Sequence, residues 1–436
     1  MVAEPPPEPD VAIVGAGAAG IAAARRCLAA GLSVALIEAR QRVGGRAVTV
    51  AMRGHGLDLG AHWLHSGRAN PLVRLAEERG ERLRRAPRAR HVVIAGRPAT
   101  AAERRARGAA FERADRILTQ RASDPQDRSA ASALPPLGPW RDAVAAVHGL
   151  VSGRPLEEVS LKDFPSLVYS GNRFIAGGLG AYVARLAGGL PVRLGAAVEA
   201  IDLSGPGVAI ETSAGRMRAR AAIVTVSPTV LQRGAIRFTP ALPWALSQAI
   251  HGFVSGTYEH VVLHWPGAPF SGPDRLASLL GTRHRPSGML TRIDGTAWHY
   301  FELDHPAALA LDGRGTGAAA RHAREVLRAQ FGIRAIRDLA IPAVTEWRHD
   351  PLSLGSWSVV PPGLWTIRDA VKAPVAGRLW FAGEFASRDQ SGTVGGAWEE
   401  GERAAEEAIR ALSGPPNGAA LTASTAARGR AGGGRP

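Results

Sequence analysis

The 436-residue chain is poor in cysteine, in lysine and in long apolar runs, and each shortage excludes something. A single cysteine, Cys27, rules out an intramolecular disulfide and a thiolate metal cluster, so no metal site is expected. Cys27 lies in an Ala-rich stretch and reads as a small core residue. Lysine occurs only at Lys162 and Lys372, so arginine carries nearly all of the basic charge behind the net +15. With abundant Ala, Gly and Pro, that bias fits a GC-rich coding sequence at least as readily as a phosphate-binding surface. Arg79 to Arg128 holds fourteen arginines but almost no aromatic rings to stack on bases. It reads as a solvated helical face, and no nucleic-acid partner is expected. No run approaches the roughly 18 apolar residues of a membrane span. The first ten residues lack the basic and apolar regions of a signal peptide. Residues 1–9 and 413–436 are expected to be disordered tails, and the protein to be cytoplasmic with no membrane partner.

What is present begins with a βαβ pattern. Asp10–Gly17 is a β-rich strand, Ala18–Ala30 an Ala-rich helix and Ser33–Ala39 a second strand. Residues 191–227 read as alternating strands, 318–330 as a clear helix, 378–382 as a strand and 393–412 as a long helix. The expected class is α/β. A Rossmann-like dinucleotide domain is assembled from discontinuous segments (10–76, 173–236 and 374–412). A substrate domain of mixed sheet and helices takes 77–172 and 237–373.

Gly15, Gly17 and Gly20 satisfy G-x-G-x-x-G with a strand before and a helix after. The glycines allow a tight turn, close approach of backbone to a pyrophosphate, and close helix–strand packing. Glu38, 18 residues after Gly20, can accept hydrogen bonds from both ribose hydroxyls. NAD and FAD share this fingerprint. The run Arg40–Arg46, in which Gly44 and Gly45 are bracketed by arginines, offers N–H groups and a guanidinium to a second face of the pyrophosphate. That extra clamp favours FAD. Further on, Gly383 and Glu384 end a strand, and a Gly-rich turn then leads into a helix. Such a helix N-terminus stabilises negative charge, as on a reduced flavin.

Residues Val11–Arg46 resemble the N-terminus of the flavin-containing amine oxidase family, which includes monoamine and polyamine oxidases. Leu57–His65 is similar to the family segment that passes the flavin ring, and Phe381–Glu384 with Ser391–Ala397 is similar to its C-terminal flavin motif. The resemblance covers most of residues 10–412. It implies non-covalent FAD held by Gly15, Gly17, Ala19, Gly20, Glu38, Ala39, Arg40, Gly45, Arg46, Gly60, Ala61, His62, Trp63, Val198, Trp357, Gly383, Glu384, Thr393, Val394 and Ala397. Val198 would meet the adenine end and Glu384 the ribityl chain. Ser356 stands where some relatives attach the flavin through cysteine.

By the same resemblance, Trp357 forms one wall of a slot that orients an amine, and Thr393 stands where monoamine oxidases place the second aromatic. His65 matches a histidine near the catalytic centre of animal polyamine oxidases. The family lysine near flavin N5 is replaced by His260, which leaves open whether oxygen or another acceptor reoxidises the flavin. The implied reaction is hydride transfer from an amine-bearing carbon to flavin N5, giving an imine and then an aldehyde or ketone. An amino-acid oxidase or desaturase shares the cofactor motifs, and a non-catalytic flavoprotein binding a partner through its arginines is the alternative of another class.

Overall fold

The computed structural model describes residues 6–87 and 90–413. Of the tails expected to be disordered, residues 6–9 and 413 fall among these, where Pro9 is buried and Ser413 closes the last helix, and the rest lie outside the described residues.

Val11–Val14 is the middle strand of a five-stranded parallel sheet, in the order Leu379–Phe381, Ala221–Val224, Val11–Val14, Val34–Ile37, Val192–Arg193. The three central strands are buried at every residue, as a parallel sheet covered on both faces requires. Alternation along the strand divides the core. Val11 and Ile13 pack toward the helices Ala18–Ala29 and Val394–Ser413, and Ala12 and Val14 face the opposite layer. The two helices touch closely: a Cβ on Gly401 would lie 2.1 Å from the Ala19 carbonyl oxygen. The Ala-rich composition of the first helix is therefore a packing requirement. Cys27 is fully buried there, and burial pushes its thiol up to about 12, which keeps it protonated and inert.

The opposite layer is a four-stranded sheet ordered Gly215–Ala219, Val208–Thr212, Val198–Asp202, Arg237–Thr239. Leu246, Phe253, Ile367 and Val371 share its core with Ile201 and Ile210. Residues 237–253 and 360–371, allotted to the substrate portion by sequence, thus share a core with the strands Val198–Asp202 and Val208–Thr212.

The second large sheet has seven strands: Ala340–Val344, Glu259–His264, Trp298–Leu303, Ser287–Thr291, Arg275–Leu280, Arg90–Ile94, Arg97–Pro98. Val261, Leu263 and Phe301 face the helix Thr316–Ala335, while Val262, Leu276 and Tyr300 pack with Leu57 and Phe174 on the other face. His260 shares the parity of Val262 and points with it toward the first sheet. The helix starts earlier and runs later than its sequence pattern, and its geometry breaks at Gly332 (φ 80°).

The Arg-rich stretch is not one helical face. Leu83–Arg85 and Arg90–Ile94 are strands, the latter parallel to Arg275–Leu280, and only Ala101–Arg121 is helix. Long-range pairing decided this, and arginine content could not foretell it. Several of these arginines are held by acids: Arg84 bonds Asp274 (2.6 and 3.1 Å), Arg82 bonds Asp294 (2.6 Å) and Arg97 bonds Glu103 (2.6 Å).

Candidate active site

At the end of Val11–Val14 the backbone turns at Gly15 (φ 102°), whose N–H donates to the Ile37 carbonyl at 2.7 Å. Gly17 caps the first helix, and a Cβ on Gly20 would stand 1.8 Å from the Gly15 oxygen. The second glycine loop lies against the first. Gly44 N–H donates to Ala16 O (2.8 Å), and a Cβ on Gly45 would approach Gly17 Cα to 3.3 Å. The buried Glu38 carboxylate joins the two loops, accepting from the N–H groups of Ala16 and Arg40, both at 2.8 Å.

The flanking arginines are anchored to distant segments. Arg40 makes a two-pronged bond to Asp350 (2.9 and 2.8 Å) and a third to Ser353. Arg46, expected to offer its guanidinium to a pyrophosphate, donates to the Ser356 carbonyl (2.7 Å) and to Glu384 (2.9 Å). Glu384 also accepts from the N–H (3.1 Å) and hydroxyl (3.0 Å) of Ser358. A fully buried Arg368 sits beneath, bonded twice to Asp163 (2.7 and 2.8 Å) and once to the Phe385 carbonyl (2.8 Å).

One cavity of about 620 Å³ opens between the two large sheets. One wall carries Gly15, Gly17, Ala19, Glu38, Ala39, Arg40, Gly45, Arg46 and Val198. Gly60, Ala61, His62 and Trp63 continue it, Gly383 and Glu384 approach from the end of the strand Leu379–Phe381, and Thr393, Val394 and Ala397 from the start of the last helix. Trp357, His65 and His260 line it as well. Of the residues expected at a site, only Gly20 stays behind the wall, where it lets helix and strand pack.

His260 stacks on Tyr300 (ring centres 4.3 Å apart, 10° between planes) and lies 4.9 Å from His62 and 5.0 Å from Tyr258. His65 stacks on Trp63 (5.7 Å) and meets Tyr169 at 4.1 Å. His62 Nε2, His65 Nδ1 and His260 Nε2 are buried and have no hydrogen-bond partner among the described residues. Burial holds His260 down to about 3 and His65 to about 4, the latter against the opposing Asn172 hydrogen bond. His62 is lowered well below its ordinary value, by burial first and by its nearness to His260 second. All three rings are therefore neutral near pH 7. Neither lysine is present: Lys162 donates to the Pro125 carbonyl (2.9 Å) and Lys372 pairs with Glu400 (3.0 Å).

Trp357 is oriented by its Nε1–H, which donates to the Ser152 carbonyl at 3.0 Å, and its ring lies 5.6 Å from that of Tyr258. Sequence reading missed Tyr258, Tyr300 and Tyr169. Tyr258 carried a faint signal, lying two residues before His260 and so on the same side of an extended chain. Glu302 stands out in sequence only as a local acid able to offset the net positive charge. It comes opposite His260 only through strand register, and Gly288 makes room for it, since a Cβ there would lie 2.2 Å from its Oε2. Glu302 accepts the Tyr258 hydroxyl at 2.9 Å.

Residues 101–409 match the family described as flavin containing amine oxidoreductase, and residues 13–78 match an NAD(P)-binding Rossmann-like domain. Polyamine oxidase 4 of Oryza sativa subsp. japonica is 28% identical, with 92% of this chain and 88% of that protein covered. Lysine-specific histone demethylase 1 homolog 1 of the same organism is also 28% identical, over 93% of this chain. The chain spans about half (53%) of that relative's length. A putrescine oxidase double mutant, redesigned in its cofactor binding, has the same fold (TM-score 0.72, 21% identity, 92% of this chain and 99% of that chain). This chain belongs to the flavin-containing amine oxidoreductase family.

Proposed function

We propose that the chain holds FAD non-covalently along this cavity and oxidises an amine at the end marked by Trp357 and His260. The observation that carries the reading is convergence. Two glycine loops, the last helix's N-terminus, an oriented tryptophan and three neutral histidines, from distant parts of the chain, face one space.

The residues fit the group. Gly17 and Gly45 bring bare backbone against one another with no Cβ between, and the first helix presents its N-terminus where a pyrophosphate would rest. Glu38 keeps lone pairs for ribose hydroxyls after accepting its two backbone bonds. Glu384 is set for the ribityl chain by Arg46 and Ser358, and Val198 for the adenine. Cys27 is buried in the first helix and Ser356 precedes Trp357, which supports attachment without a covalent bond. When bound, the flavin supplies the acceptor for a hydride from the carbon bearing the amine. Trp357 and Tyr258 orient that carbon, and the uncharged histidines do not repel an ammonium form, which gives its proton to solvent so that the hydride leaves from beside a neutral amine. The oxidised amine, an imine, then hydrolyses to an aldehyde or ketone.

An amino-acid substrate calls for a guanidinium at the reactive end. The arginines lining the cavity among the described residues are Arg40 and Arg46, held by Asp350 and Glu384 on the cofactor side. This favours amines. The ion pairs of Arg82, Arg84 and Arg97 likewise weigh against a nucleic-acid partner. Among the described residues no helix is long and apolar enough to cross a membrane.

Anaerobic mixing of the FAD-loaded protein with amines and amino acids tests the reading: amines should bleach the flavin, and no bleaching by any of them overturns it. Admitting oxygen afterwards reports the acceptor. If His260 slows reoxidation, His260→Lys should speed it, and an unchanged rate would remove that role.

A further inference from the structure

Part of the cavity wall comes from the helices Ala101–Arg121 and Arg141–Ser152 and from the loop around residue 168. Leu276, Leu150, Phe111 and Val147 line it inside, and Val151 and Val168 stand at its mouth, 37% and 51% exposed. Apolar side chains left that open on the rim of a cavity mark a surface awaiting an apolar ligand. Two carboxylates accompany them. Glu302 lies deep, next to Tyr258, and Asp115 lies at the rim, 3.1 Å from His148 Nε2 and half exposed.

A polyamine carries several ammonium groups along its length, and each needs an acidic or polar partner when it leaves water. Leu276, Leu150, Phe111 and Val147 line the cavity together with Glu302 and Asp115, and the polar group beside Asp115 is the His148 ring that Asp115 already holds. A chain of net charge +15 also repels a polycation in the encounter. We infer that the substrate is a monoamine with an apolar body: one nitrogen at the Trp357–His260 end, and a hydrocarbon portion lying along Leu276, Phe111 and Val147 toward Val151 and Val168. This rests on the amine-oxidoreductase reading above and names its substrate class. It departs from the polyamines named for two of the relatives.

The test is anaerobic reduction of the FAD-loaded protein by butylamine, hexylamine, octylamine, putrescine and spermidine, each taken to saturation. The half-saturating concentration should fall about two- to fourfold for each methylene from butylamine to octylamine, as hydrocarbon leaves water. Putrescine and spermidine should need higher concentrations than octylamine. Val168→Asp and Val151→Ser should each shrink the preference for octylamine over butylamine. A fold defect would instead lower FAD content, read from the absorbance of the purified protein. A flat alkyl series, or saturation by spermidine below octylamine, overturns the inference and leaves the oxidoreductase reading standing. Failure of every amine to reduce the flavin removes both.

Discussion

The two ends of the cavity are built on opposite principles. At the end lined by the glycine loops the charged side chains are bonded within the protein: Glu38 to two backbone N–H groups, Arg40 to Asp350 and Arg46 to Glu384, while one glycine loop bonds the other. At the reactive end three histidine nitrogens are buried without a partner among the described residues, surrounded by aromatic rings. An anchored, glycine-tight wall is suited to holding a rigid group in one pose. Neutral, unbonded nitrogens cost stability and are tolerated where they act on something that enters.

That contrast can be broken at the joint between the ends. Asp163→Ala leaves the Arg368 guanidinium buried and stripped of its carboxylate, and should cost about 3–5 kcal/mol in urea denaturation. A loss under about 1 kcal/mol would mean that the joint bends. At the cofactor end, Gly20→Ala sets a methyl against the Gly15 carbonyl and should cost up to about 3 kcal/mol, with FAD lost on purification. Full FAD content at an unchanged midpoint would show that this wall yields.

The reactive end should betray itself in acid. His260 is held near 3 when folded but takes a proton at its ordinary 6.5 when unfolded. Its contribution is present above 6.5 and fades as pH falls toward 3, amounting to about 2 kcal/mol by about pH 5. His260→Gln should remove that share of the slope, and an unaltered stability profile would refute it. Asp58 runs the other way, because burial pushes its carboxyl up to about 6. Its share is present below about 4 and lost as pH rises through 6, so Asp58→Asn should flatten that loss. The smallest change expected is Thr100→Ala, which opens the capping box with Glu103 on the helix Ala101–Arg121. It should cost about 1 kcal/mol and leave FAD content intact.

The cofactor end was readable in sequence because its constraints are local. Gly15, Gly17, Gly20 and Glu38 sit within one strand–turn–helix–strand unit, where spacing alone sets the geometry. The last helix was readable for the same reason. Tyr258 and Tyr300 were not, because they join His260 through strand neighbours and register across some forty residues. Arg84, Arg85 and Arg90 were misread as helical because Leu83–Arg85 pairs with Arg173–Ile175 and Arg90–Ile94 with Arg275–Leu280, which no local pattern announces.

Sequence by itself determined that this chain holds a dinucleotide fold of α/β class, since glycine spacing and β-branched runs act through the backbone and need no distant partner. Only the tertiary structure decided that Arg46 turns to Glu384, that Glu302 faces His260 and that the histidines are neutral. Each of these depends on which side chains folding brings within hydrogen-bond range and on how completely it removes them from water.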